Sequence, residues 1–131
     1  MALHTDTEVY AAIFDLLGAA VDAVREMRKD VKPVIGGRII EACVQMDLRL
    51  RAANIAKDKE QDLMGLLEQI EIVELLTRMC RDWKFIPLGK YADLVQRTAS
   101  IGKQVNGWRK AEKLRQPEQQ QQLGLNPESP R

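Results

Sequence analysis

Histidine is almost missing from this chain, with His4 the only one in 131 residues. A histidine-based metal centre or acid–base pair has nothing to be built from. That covers the Glu-x-x-His pairs by which some bundles hold two irons. Cysteine is scarce as well. Cys43 and Cys80 lack Cys-x-x-Cys spacing and read as small core residues of a reduced, cytoplasmic protein, with a helix-to-helix disulfide as the other reading. No apolar run approaches the roughly 18 residues of a membrane span, so no membrane partner is expected. The opening residues carry acids where a signal peptide needs a basic and then an apolar region, so export is not expected. No segment alternates apolar and polar residues between hairpin turns, which removes strands and any phosphate loop that would follow one. Ser100 has no base to activate it. Glu71 and Glu74 read as a solvated face. The chain reads as non-enzymatic, with no metal and no cofactor.

Helical periodicity is what the chain does have. Thr5-Asp6-Thr7-Glu8 has capping-box form, and a first helix over about 6–29 carries Val9, Ile13, Leu16, Ala20, Val24 and Met27 on one face. Phe14, Leu17 and Val21 widen that stripe. Pro33 ends the pattern and opens the next helix. The second helix, about 34–57, places Ile35, Ile39, Cys43, Met46, Leu50 and Ala53 inward. Gly36 and Gly37 in its first turn cost about 1 kcal/mol each relative to alanine. Such a cost fits either a close backbone approach or a loosely formed turn. Asp58 to Gln61 is a second cap signal. The third helix, about 59–85, runs through Leu63, Leu66, Ile70, Val73, Thr77 and Cys80 until Ile86-Pro87 stops it. The fourth, about 88–113, turns Tyr91, Leu94, Thr98, Ile101, Val105 and Trp108 inward. Residues 115–131, rich in Gln and Pro, read as a disordered tail. Four amphipathic helices with short connections over residues 1–114 predict one all-α domain, an antiparallel up-down four-helix bundle.

A net charge of +1 gives no global case for nucleic acid. The charge is nevertheless unevenly placed. Residues 5–30 hold six acids and three bases and residues 58–85 seven and four, whereas residues 31–57 hold five bases and two acids and residues 86–115 seven and two. In an up-down bundle each odd helix lies between even ones, so every neighbouring pair is charge-complementary, which favours one packing order. The densest basic strip, Lys90, Arg97, Lys103, Arg109, Lys110, Lys113 and Arg115, reads either as a solvated face or as the candidate phosphate-contacting surface. Two apolar rows lie away from the core faces, Ile40, Val44, Leu48 and Ile55 on helix 2 and Ile72, Leu75 and Met79 on helix 3. Rows of this kind predict either a subunit interface or wide seams inside the bundle. From the residues alone the chain is a nucleic-acid-binding bundle or a protein-only interaction module.

Some short pieces recur together. Gly36-Gly37-Arg38-Ile39 opens helix 2, and Leu50-Arg51-Ala52-Ala53-Asn54 stands near its end. Trp83-Lys84-Phe85-Ile86 leads into Tyr91, and Ile101-Gly102 and Gly107-Trp108-Arg109-Lys110 follow. In this order, from about Val31 to Lys110, the chain resembles the small four-helix-bundle family of the accessory variability determinant (Avd) of diversity-generating retroelements. That family also includes bundle proteins encoded in intervening sequences of bacterial 23S ribosomal RNA genes. The resemblance implies a homopentamer without catalytic activity that binds the element's template RNA, and DNA as well. It also implies a complex with the element's reverse transcriptase during mutagenic homing. Members are typically strongly basic, and this chain departs from them in being nearly neutral.

Overall fold

The computed structural model describes the backbone of residues 4–122 and the side chains of residues 8–115. It contains α1 (His4–Arg25), α2 (Gly37–Ile55), α3 (Glu60–Asp82) and α4 (Leu88–Gln122), with a five-residue π-helical turn, Lys32–Gly36, leading into α2. Among the described residues there is no strand, and no helix is long and apolar enough to cross a membrane. The side chains of the capping box at Thr5 to Thr7 lie outside the described residues. The backbone is already helical from His4.

α1 packs on α2 and α4, and α3 packs on the same two helices from the other side. Side chains fix the direction of each pair. Lys90 at the start of α4 reaches Asp22 near the end of α1, and Arg109 near the end of α4 reaches Glu60 at the start of α3. Arg51 late in α2 lies over the ring of Tyr10 early in α1, and Arg49 crosses Gly65 early in α3. All four neighbouring pairs are antiparallel, as an up-down bundle requires.

The expected inner faces form one core. The stripe positions expected for the first and third helices are all buried, with Met27 lying just beyond α1, which ends at Arg25 and not near residue 29. Leu94, Thr98, Ile101, Val105 and Trp108 of α4 are buried too. Ile35 and Tyr91 are partly buried at the edge. The expected widening of α1 was too generous. Leu17 lies within about 70° of the stripe's centre at 100° per residue, and it packs against the core. Phe14 and Val21 are more than about 100° away, and Phe14 is 75% exposed.

The Gly36-Gly37 pair divides the two readings between its members. Gly36 is buried, and a Cβ there would sit 2.6 Å from Val24 Cγ1, so α1 and the π turn touch through bare backbone. Gly37 has open space around it. At the other end of α2, the Lys59 ammonium donates to the carbonyls of Ala53, Asn54 and Ala56 at 2.8, 3.3 and 2.9 Å. One cation thus closes the negative end of the helix. Asp58, one residue before the Lys59 N-cap of α3, accepts from the first helical N–H, that of Glu60, at 3.1 Å, one residue closer than the Asp58–Gln61 pairing expected. α4 continues to Gln122, beyond the Lys113 end expected. Glu and Gln are good helix formers, and extending an existing helix needs no new nucleus, although Pro117 within the extension donates no backbone hydrogen bond. Residues 123–131 of the expected tail lie outside the described residues.

Gly36→Ala is expected to destabilise the protein by about 1–3 kcal/mol, since β-branched Val24 has no flexible end to move aside. Gly37→Ala should be neutral or stabilising by up to about 1 kcal/mol. Trp108 is 6% exposed, and its replacement by alanine should cost about 3–5 kcal/mol. Urea unfolding of the three variants measures all of this, and a near-neutral Trp108→Ala would contradict its role as a core anchor.

Candidate nucleic-acid and subunit interfaces

The seven basic residues of α4 do not form one surface. Their angular positions send them three ways, and most meet a carboxylate. Lys90 turns toward α1 and binds Asp22 at 2.8 Å and Glu26 at 3.6 Å. Arg97 holds Asp93, one turn earlier on its own helix, at 3.1 Å. Arg109 turns toward α3 and grips Glu60 with two hydrogen bonds, Nε at 3.0 Å and Nη2 at 2.6 Å. Lys113 stands 3.9 Å from the same carboxylate. Arg115 pairs with Glu112 at 2.6 Å. Among the described residues, Lys103 and Lys110 alone of the seven have no carboxylate within ion-pair distance.

Lys103 also faces opposing charge. A groove between α3 and α4 has Glu68, Glu71 and Glu74 on one wall and Lys103 and Arg109 on the other. A phosphate approaching Lys103 there meets three carboxylates at close range. The charge alternation between helices is therefore realised as contacts, Lys90 to α1 and Arg109 to α3. That use of the cations subtracts from what α4 offers to a polyanion.

The two outer apolar rows divide as well. Ile40 and Ile72 pack against the core as partly buried residues, and Val44 and Met79 are also half-buried. Leu48, Leu75 and Ile55 are exposed, Ile55 by 85%. Four of the seven residues thus fill the edges of the bundle, and three present apolar surface to water on the α2–α3 side.

Free positive charge collects at a place that charge counting per helix had concealed. The ends of α1 and α3 and the start of α4 share one end of the bundle. There Asp22 and Glu26 are held by Lys90, Asp30 by Arg28 at 2.6 Å, and Asp82 by Arg81 at 2.8 Å. Arg25, Lys29, Lys32 and Lys84 have no carboxylate within 4.0 Å among the described residues. Trp83, next to Lys84 in the chain and edge-on to Phe85, is 62% exposed. The sequence signal was present in Trp83-Lys84 and in the Arg25–Lys32 cluster, but Arg25, Lys29 and Lys84 belong to segments counted as acidic and Lys32 to the next segment.

Neither thiol offers chemistry. Both cysteines are free and buried, and burial pushes the Cys43 thiol up to about 12 and the Cys80 thiol in the same direction. Among the described residues no three His, Cys, Asp or Glu side chains are placed to hold a metal ion. Neither protein-family models nor curated proteins give a match to the chain.

Arg109, through its hydrogen bonds, holds the Glu60 carboxyl below its ordinary range. A carboxyl depressed by folding stabilises the fold above its unfolded value and loses that contribution as pH falls through the folded one. Acidification through about pH 4 and below should therefore lower the thermal midpoint. In Glu60→Gln that fall should be smaller than in the unaltered protein. Equal acid profiles, measured by circular dichroism, would show that the pair contributes nothing to stability.

Proposed function

We propose that this protein is a non-catalytic accessory subunit of a diversity-generating retroelement. In this reading it binds the element's RNA, and DNA as well, together with its reverse transcriptase, to support mutagenic retrohoming. The observation that carries the reading is where the residues of the family resemblance sit. They hold the junctions between helices. Gly36 receives Val24 of α1, and Ala53 lies in the core at the end of α2. Phe85 takes Arg28 over its ring, while Tyr91 accepts a hydrogen bond from Arg81 at 2.9 Å. Trp108 fills the core near the far end. Pieces that are individually common thus take packing positions in the turn before α2, in α2, after α3 and in α4, where they meet residues of α1 and α3.

An accessory role suits the surfaces. The exposed part of the outer rows, Leu48, Ile55 and Leu75, is apolar area that a homo-oligomer, a pentamer by the resemblance, would cover. Unpaired cations are available for phosphate. A second reading has its own support. Because five of the seven α4 cations are occupied within the fold, the same protein could act as a protein-only interaction module, docking partners through those apolar rows. A bundle of the ribosomal-RNA intervening-sequence type shares the fold and differs in genomic position. A reverse-transcriptase gene with template and variable repeats alongside favours the retroelement role, and an rRNA operon favours the other.

Co-expression with the neighbouring reverse transcriptase and template RNA, followed by affinity capture and light scattering, tests the proposal. A multimeric bundle should retain both. RNA affinity should fall with salt at a log–log slope of about −3.5 to −4.5 if about five phosphates are contacted per subunit. Retention of a protein partner with no salt-sensitive RNA binding would overturn the nucleic-acid part. A monomeric mass at micromolar concentration would overturn the oligomer.

A further inference from the structure

We propose that the end of the bundle around Trp83 is a single-stranded nucleic-acid site. Trp83 stacks on a base, and Arg25, Lys29, Lys32 and Lys84 meet the adjoining phosphates. The assignment rests on the nucleic-acid reading above and places its contact away from the α4 strip.

The local chain is built to display the indole. α3 ends with Trp83 N–H on Met79 O at 3.0 Å, Lys84 N–H on Arg81 O at 3.1 Å and Phe85 N–H on Cys80 O at 2.8 Å. This closure needs a left-handed residue, and Lys84 occupies it at φ 61°. Glycine would adopt that conformation without strain, whereas a side chain there costs about 1–2 kcal/mol. The turn directs Phe85 and Ile86 into the bundle and leaves Trp83 outside. Phe85 meets Trp83 edge-on, with ring centroids 5.8 Å apart and planes at 85°. The indole is braced without being covered.

The surroundings favour a polyanion with stacking bases. Arg28 lies 5.8 Å from the Phe85 ring centroid and so ties the α1–α2 connection to this loop. That contact brings Lys29 and Lys32 to the same end as Lys84. Asp22, Glu26, Asp30 and Asp82 at this end are each held by a cation, whereas Arg25, Lys29, Lys32 and Lys84 make no ion pair within 4.0 Å among the described residues. The exposed Trp83 adjoins Lys84 in the chain. On the α4 face, by contrast, Lys103 looks across at three glutamates. An aromatic platform within unpaired positive charge is how strands are bound without sequence preference. The strained lysine at the tip is the kind of residue that persists where it serves binding.

The two tryptophans make the test direct, because Trp108 is buried and Trp83 is not. The full chain is titrated with a fluorescein-labelled oligouridylate of roughly 12 nucleotides, within the span that stacking folds cover. Label anisotropy reports binding and indole emission reports stacking. Binding should quench the Trp83 emission, with Trp83→Phe retaining affinity and Trp83→Ala losing about tenfold. Replacing Lys29 and Lys32 by alanine with Lys84→Gly should flatten the salt slope by about 2, at about 0.7 per lost contact. The glycine also relieves the strain, so loss of fold does not confuse the result. Unchanged emission with equal affinity in Trp83→Ala would overturn this site and leave RNA binding elsewhere on the bundle intact. A Trp83→Ala variant that keeps the strand but loses a co-expressed protein partner would make this end a protein-docking surface and overturn the assignment. Absence of any strand binding would overturn the nucleic-acid reading together with it.

Discussion

The structure depends on burying one apolar stripe per helix in a shared core, and the other features adjust to that burial. Each stripe repeats at three- and four-residue spacing, so each helix has one inward direction and no freedom to rotate. Fixing those directions also fixes which residues reach the seams. Gly36 is where the constraint is tightest, because the backbone of the π turn lies against Val24 with no room for a Cβ. The irregular turn lets the chain leave α1 and enter α2 at that distance.

Once rotation is set, the charges have assigned partners. The basic helix α4 lies between the acidic helices α1 and α3, and Lys90 and Arg109 become bridges to each. Exposed or half-exposed pairs of this sort contribute about 0–1 kcal/mol each, so their value lies in choosing neighbours and direction more than in stability. The same pairing explains how a nearly neutral protein can still have a positive region. Seam cations such as Lys90 and Arg109 are taken up by carboxylates of the neighbouring helices, whereas at the end where α1 and α3 finish Arg25, Lys29, Lys32 and Lys84 make no ion pair among the described residues.

The outer apolar rows follow the same geometry. Ile40 and Ile72 lie about 100° or more from their stripe centres and are nevertheless partly buried, packed against the edges of the core. Those nearer the opposite side, Ile55 most of all, stay in water. Of these two rows, only Leu48, Ile55 and Leu75 are left exposed for a partner.

The sequence by itself determined the fold class, the helix count and nearly all of the core, because a stripe at helical spacing has only one way to be buried. It also determined that α4 is rich in bases. It could not determine which of those bases remain free, since an ion pair such as Arg109 with Glu60 joins residues 49 positions apart and exists only after the helices pack. Phe14 was misread because a position more than about 100° from the stripe's centre was counted as inward. Lys84's left-handed backbone and the exposure of Trp83 arose from the closure of one helix against its neighbours. Tertiary packing alone decided them, and with them the part of the surface that carries unpaired charge.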